Sequence, residues 1–169
     1  MWLGDDRFVA PDDERSNQGM ARAALGPDAP VEAIDTALEL DAAAADYERR
    51  LRAALSDKAG VDLLLTGLGP DAHTASLFPG KPEVAERTRF VVGVPEAGME
   101  PYVPRITITL SVFREARSVV FVVTGGDKAE AVARAFGDPP DTTAPAALAR
   151  PHQGELTVLA DRAAAAHLR

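Results

Sequence analysis

Runs rich in β-branched and aliphatic residues alternate along the chain with stretches whose apolar positions recur at helical spacing. Residues 61–66 and 118–123 are nearly continuous apolar runs, which predicts strands buried on both faces. Residues 105–110 alternate polar with apolar positions, which predicts a strand with one polar side; residues 90–94 and 156–159 read as further strands. Helices are expected over 16–25, 41–55, 127–136 and 161–168, each opening on an Asp or Ser able to accept from the free N–H groups of a first turn. Alanine-rich stretches, 42–45 and 163–166, favour helix by propensity and allow close packing on a sheet. The Pro-rich segments 95–104 and 139–151 read as surface loops. This order predicts an α/β fold, an open and mainly parallel sheet with helices on both faces, in a single domain over residues 1–169. Residues 2–8 read as the end of a strand entering a polar turn, so the chain is expected to begin mid-fold.

Composition narrows the partners. A chain of 169 residues with 46% hydrophobic and 26% charged positions suits one folded domain with a sizeable core. Setting 18 basic residues against 26 acidic ones leaves a net charge of −8, and no Lys/Arg cluster forms a stripe. Nucleic acid and anionic membrane are therefore not expected as partners. The same balance repels free anions at long range, so a phosphate site must be assembled from a few converging cations. The sequence holds no cysteine, which excludes disulfides, thiolate metal sites and cysteine nucleophiles, and it fits the cytoplasm. The first residues lack a basic segment followed by an apolar core, and no apolar stretch reaches the ~20 residues needed to span a bilayer.

The densest chemical signal follows the strand at 61–66: Thr66-Gly67-Leu68-Gly69-Pro70-Asp71-Ala72-His73-Thr74-Ala75-Ser76-Leu77-Phe78-Pro79-Gly80. Ligands of open α/β sheets bind beyond the carboxyl ends of strands, where this turn falls. Gly67 and Gly69 permit close backbone approach to a ligand, and Asp71 and His73 are spaced to share one side of a loop. A carboxylate on one imidazole nitrogen fixes the tautomer and leaves the other free to deprotonate water. The same residues also read as a plain glycine-rich turn with a surface histidine. No Gly-Lys-Ser/Thr follows and the third glycine of a dinucleotide fingerprint is absent, so neither phosphate-loop motif applies. His152 and His167 lack metal-ligand spacing with His73 and read as solvated surface residues.

Three further cations stand at strand ends. Arg7, in Gly4-Asp5-Asp6-Arg7-Phe8, can offer a planar fork to a phosphate or pair with Asp5 or Asp6. In Thr124-Gly125-Gly126-Asp127-Lys128, backbone N–H groups and Lys128 can hold an anion, or the segment is simply strand, turn and capped helix. Arg105 opens a strand after Pro104 and either faces the same site or pairs with a surface acid.

In order and spacing these blocks resemble the 6-phosphogluconolactonase family over nearly the whole chain. The resemblance rests on Trp2 through Phe8 with Pro11-Asp12-Asp13 and Ser16-Asn17, on the stretch from Leu65 to Gly80, on Pro104-Arg105-Ile106-Thr107-Ile108-Thr109-Leu110, and on Thr124 through Glu130. It implies a three-layer fold similar to glucosamine-6-phosphate deaminase and ribose-5-phosphate isomerase. It also implies hydrolysis of 6-phospho-D-glucono-1,5-lactone to 6-phosphogluconate, in the oxidative pentose phosphate pathway, without metal or cofactor. By the resemblance His73 is the base and Asp71 positions it. Arg7, Arg105 and Lys128 hold the phosphate or nearby oxygens, and the Gly67 to Gly69 turn shapes the pocket. The deaminases have a similar Asp-x-His turn but continue differently where this chain has Thr74-Ala75-Ser76-Leu77-Phe78-Pro79, which favours the lactonase.

Three departures carry expectations of their own. Ala72 stands where the family usually has Gly; if that position needs a positive φ, the Cβ costs about 1–2 kcal/mol. Asp6 replaces the usual Glu and shortens any carboxylate contact there by one methylene. The family's N-terminal βαβ-type portion, with its Ser-Gly-Gly-Ser/Thr-like phosphate loop, has no counterpart in these residues, which predicts an N-terminally truncated fold with an exposed central strand edge. Besides the enzyme, two readings remain from the sequence. One is a weak or inactive relative acting as an assembly or binding module, as a homo-oligomer or with a completing N-terminal segment; the other is a sugar-phosphate deaminase or isomerase.

Overall fold

The computed structural model describes residues 1–26, 28–56 and 60–168. In chain order the elements are β1 (Asp5–Arg7), α1 (Asn17–Leu25), α2 (Leu40–Leu55), β2 (Leu64–Thr66), β3 (Val91–Val94), β4 (Arg105–Ile108), α3 (Leu110–Glu115), β5 (Ser118–Val123), α4 (Ala129–Phe136), α5 (Pro145–Leu148) and β6 (Glu155–Ala160). The expected parallel sheet is β2-β5-β6, with Leu65 opposite Val120 and Val120 opposite Thr157. Beside it lies an antiparallel sheet, β1-β4-β3, with Asp6 opposite Ile106 and Ile106 opposite Gly93. The alternation of strands and helices does not foresee this second sheet. No helix separates β3 from β4, so the chain turns straight back through residues 95–104 and pairs antiparallel.

Helix α2 packs on β3 and β4, burying Ala43, Ala44, Tyr47 and Leu51. Its alanines let the backbones approach, and the Tyr47 hydroxyl accepts from the Leu3 N–H at 2.8 Å, fixing the approach to β1. Helix α1 starts as the sequence implies: Ser16 caps it by accepting from the Gly19 N–H at 3.1 Å. Asp6 adds its carboxylate to the same terminus, accepting from the N–H groups of Asn17 (2.6 Å) and Gln18 (3.0 Å). Burial nevertheless raises its pKa, outweighing those bonds. Helix α4 buries Ala129, Ala131, Val132 and Ala135, and the core is completed by Phe78, Phe113 and Phe121.

Several expectations need correction. Residues 161–168 form turns rather than a helix: Asp161 Oδ1 caps the Ala164 N–H at 2.7 Å, but most later bonds span three residues, so no regular α-ladder grows. Residues 139–151 are not all surface loop, since Pro145, Ala146 and Ala147 of α5 are buried. The strand starting at Arg105 has no open polar side. All four β4 residues are buried because β4 is the central strand of its sheet and its polar groups are paired internally. Conversely, the apolar runs of β2 and β5 are covered on one face only. The other face presents Leu63, Leu65, Val122 and Leu159 at 53%, 64%, 52% and 56% exposure. β2 is an edge strand, in keeping with the exposed edge the sequence implies. Together with β1, α1 and Val61, it lines an apolar groove of about 720 Å³.

Candidate active site

The chain leaves β2 at Thr66 and enters a tightly bonded turn. The Thr74 hydroxyl lies 2.8 Å from that of Thr66 and donates to the Gly67 carbonyl at 3.0 Å. The Gly69 N–H donates to the His73 carbonyl, and the Ala72 N–H to the Gly69 carbonyl, both at 2.9 Å. Ala72 has a φ of 68°, the left-handed conformation that the usual glycine adopts without strain. This geometry presents His73 beside Asp71: Nδ1 lies 2.6 Å from Asp71 Oδ1, and the same oxygen accepts from the His73 N–H at 3.0 Å. Partial burial works to raise the Asp71 pKa, but the bonds from the His73 ring and amide outweigh it and hold the carboxyl below its ordinary value. Phe78 packs against the imidazole with ring centroids 4.7 Å apart.

A cleft of about 450 Å³ opens over this turn, lined by Arg7, Gly67, Gly69, His73, Arg105 and Lys128 among others. Of the seven residues to which the resemblance gives site roles, Asp71 alone is outside the lining and reaches the cleft through His73. Gly69 is there because the ring needs the space, as a Cβ would meet His73 Nδ1 at 2.0 Å. Arg7 does not pair with Asp5 or Asp6. Its Nη1 donates to Asn17 Oδ1 at 2.5 Å and to the Arg15 carbonyl at 3.2 Å, while its Nε is buried without a partner among the described residues. A buried donor left unbonded is costly unless a ligand oxygen meets it.

Arg105 behaves differently from the other cations. Its guanidinium donates to the carbonyls of Pro101 (2.8 Å), Val103 (3.3 Å) and Met99 (3.4 Å), so it clamps the loop that brings Met99 and Glu100 to the cleft. Burial, and then the Arg7 charge, lower its pKa from the ordinary guanidinium value. Lys128 is half-buried with Nζ 3.3 Å from Asp127 Oδ2. The Gly125 N–H, expected to help hold an anion, donates to Asp161 Oδ2 at 3.1 Å instead. His152 and His167 are exposed, and no trio of His, Cys, Asp or Glu is arranged to hold a metal among the described residues.

Sequence reasoning missed several neighbours of the site. Asp5 lines the cleft and accepts from the buried Ser76 hydroxyl at 2.6 Å, while the Ser76 N–H donates to Thr107 Oγ1 at 3.1 Å, tying the His73 segment to β1 and β4. Asn17 orients Arg7, and Arg134 of α4 reaches the Asp71 carbonyl at 3.2 Å. Ser76 and Asn17 lie inside the blocks that carry the resemblance, so position was the available signal; for Arg134 there was none.

An imidazole bonded to a carboxylate at the carboxyl end of a parallel strand, with cations around its cleft, defines the candidate site of an α/β protein. Residues 1–158 match the family of glucosamine-6-phosphate isomerases and 6-phosphogluconolactonase, and the chain belongs to that family. It is 42% identical to the 6-phosphogluconolactonase of Rattus norvegicus over 95% of this chain and 65% of the rat protein. The solved 6-phosphogluconolactonase of Leishmania guyanensis superposes with a TM-score of 0.83 at 33% identity, over 96% of this chain and 72% of that one. That of Trypanosoma cruzi gives 0.85 at 30% identity, over 97% and 70%. The chain thus spans 65% of the rat relative's length.

Proposed function

We propose that this chain hydrolyses 6-phospho-D-glucono-1,5-lactone to 6-phosphogluconate, with His73 as the general base. The observation that carries the reading is the Asp71–His73 pair, 2.6 Å apart, facing a cleft that also holds Arg7 and Lys128. The rat and trypanosomatid relatives, each a 6-phosphogluconolactonase by name, support the same substrate.

In the mechanism, Asp71 accepts the Nδ1–H bond, so the Nε2 lone pair faces the cleft. As a water oxygen adds to the lactone carbonyl carbon, Nε2 takes its proton and the carbonyl π pair moves onto oxygen. The tetrahedral intermediate then collapses, the ring C–O bond breaks, and the proton held on Nε2 passes to the departing ring oxygen. A base so placed supplies about 10²–10⁴-fold. Arg7, through its unbonded Nε, and Lys128 hold phosphate or neighbouring oxygens; Arg105 contributes at the rim, and the Gly67 to Gly69 turn shapes the pocket. The reaction calls on no cofactor, and a cysteine-free chain suits the cytoplasm.

The test is turnover of freshly generated lactone above the spontaneous rate, with His73→Ala alongside. Turnover lost in the variant, at unchanged circular dichroism, is the expected result. No turnover by the folded parent chain, or equal turnover by both, would overturn the reading.

One observation favours a second reading, an assembly module. Leu63, Leu65, Val122 and Leu159 leave one face of the parallel sheet apolar and open. A tight homodimer in sedimentation equilibrium, without lactone turnover, would select it.

A further inference from the structure

Ala72 sits in the left-handed region with φ 68° and is wholly buried. A Cβ disfavours that conformation, which persists only where the surroundings over-determine it. Two peptide planes flank Ala72, and every polar group on them is bonded. The Ala72 N–H donates to the Gly69 carbonyl at 2.9 Å, and the Ala72 carbonyl accepts from the Ala146 N–H at 3.1 Å. The His73 N–H donates to Asp71 Oδ1 at 3.0 Å. The Asp71 carbonyl accepts from Nη1 of Arg134, 63 positions along the chain, at 3.2 Å. Three of these bonds are backbone bonds or belong to the Asp71–His73 pair, and among the described residues Arg134 is the only side chain brought in from another element.

Arg134 is itself braced. Its Nε donates to Asp141 Oδ2 at 2.9 Å, and its carbonyl accepts from the Asp141 N–H at 2.7 Å. Asp141 Oδ1 is fixed in turn by the N–H (2.9 Å) and hydroxyl (2.6 Å) of Thr143. A planar fork can serve the carboxylate and the Asp71 carbonyl together, which an ammonium group does less well.

We propose that Arg134 is a positioning residue for the His73–Asp71 pair: braced by Asp141, it fixes the Asp71–Ala72 peptide and so holds the left-handed turn that sets the imidazole on its carboxylate. Without it, no group outside the turn bonds the Asp71–Ala72 peptide among the described residues, the Ala146 N–H holding only the next peptide, and Ala72 relaxes toward negative φ. Asp71 and His73 then lose their common register. Nothing in this argument requires Arg134 to touch a substrate. Its kinetic consequence rests on the proposed function, whereas its structural consequence does not.

The test compares the parent chain with Arg134→Ala, Arg134→Lys and the double variant Arg134→Ala/Ala72→Gly. The ¹⁵N shifts of the His73 imidazole report whether the proton stays on Nδ1, facing Asp71. Arg134→Ala is expected to convert the fixed Nδ1–H signature into an exchanging mixture and to lower kcat for the lactone about 5–30-fold, the population equivalent of left-handed strain at one residue. KM should change less than about twofold, since a positioning residue acts on the competent population rather than on binding. Arg134→Lys should recover part of both signals. Adding Ala72→Gly should recover most of them, because glycine adopts the turn without a clamp; a general loss of α4 packing would not be repaired this way. An unchanged imidazole signature in Arg134→Ala, or no recovery with Ala72→Gly, overturns the proposal. A parent chain without turnover whose signature still collapses in Arg134→Ala upholds the positioning role and overturns the proposed reaction instead.

Discussion

A Cβ added to Gly69 would stand 2.0 Å from Nδ1 and 2.1 Å from Cε1 of His73. Gly69 has no positive φ, so it is the imidazole rather than the backbone that demands a glycine. Gly67, two residues earlier on the same turn, has no atom within 4 Å of where its Cβ would be. Gly69→Ala must therefore displace His73 from Asp71, and lactone turnover should fall by about 10²-fold or more, the contribution of a positioned base. Gly67→Ala should fold with the melting temperature of the parent, since its Cβ meets no atom, and should lose less turnover than Gly69→Ala because the His73–Asp71 pair stays in place. Assaying the two variants side by side checks the pair, and equal losses would show that the ring does not need this space.

Two cations that look alike in the sequence should behave unlike one another. Arg105 spends its guanidinium on the carbonyls of Met99, Pro101 and Val103, whereas Lys128 has one neighbouring carboxylate at 3.3 Å and lines the cleft. Arg105→Ala is expected to be mainly a stability variant. It loses about 1.5–3 kcal/mol, the scale of a hydrogen bond to a charged group, because the part-buried carbonyls of Met99 and Val103 lose their charged donor and that of Pro101 keeps only the Val103 N–H. Lys128→Ala should leave thermal unfolding unchanged and raise KM for the phosphorylated lactone more than for the unphosphorylated one. Calorimetry with a two-substrate comparison separates them; a KM effect equal for both lactones in Lys128→Ala would remove that residue from phosphate binding.

The contrast shows what kind of information the sequence carries. The segment from Thr66 to Phe78 was legible because its chemistry is local: the glycine that clears the ring, the acid and the imidazole all lie within five residues, Gly69 to His73. The same holds for Ala72, whose positive φ follows from its place in the motif. The Arg105 clamp on its loop and the Arg134 bond to Asp71 were beyond reach because the acceptors are carbonyls, which every residue possesses and no sequence distinguishes. Element ends failed for a related reason. The run at 105–110 reads as one strand, but the Thr109 side chain accepts from the Ser111 N–H at 3.2 Å and turns Leu110 into the start of α3. The alanines after Asp161 have helical propensity, yet a handful of residues following a strand is too short for propensity alone to nucleate a helix.

The acid limb of stability should carry the signature of Asp141. Hydrogen bonds from the Thr143 hydroxyl and amide, and then from Arg134, hold its carboxyl at about 2 against an ordinary 3.8. A pKa lowered by folding means that the unfolded chain binds the proton more readily, so stability increases with pH across this interval. The contribution is complete above the ordinary value of 3.8 and is lost as pH falls through about 2. Asp141→Asn removes the titrating group. It should lower the melting temperature near neutral pH, where the charged clasp on Arg134 is lost, and flatten the decline between pH 4 and pH 2, where the parent loses it too. Glu86, held at about 2 by the Thr88 and Arg89 amides, still titrates in that variant, so a shallower slope is expected rather than none. Thermal unfolding of both proteins at half-unit pH steps gives the comparison; parallel curves displaced by a constant amount would mean that Asp141 contributes no charge-dependent stability.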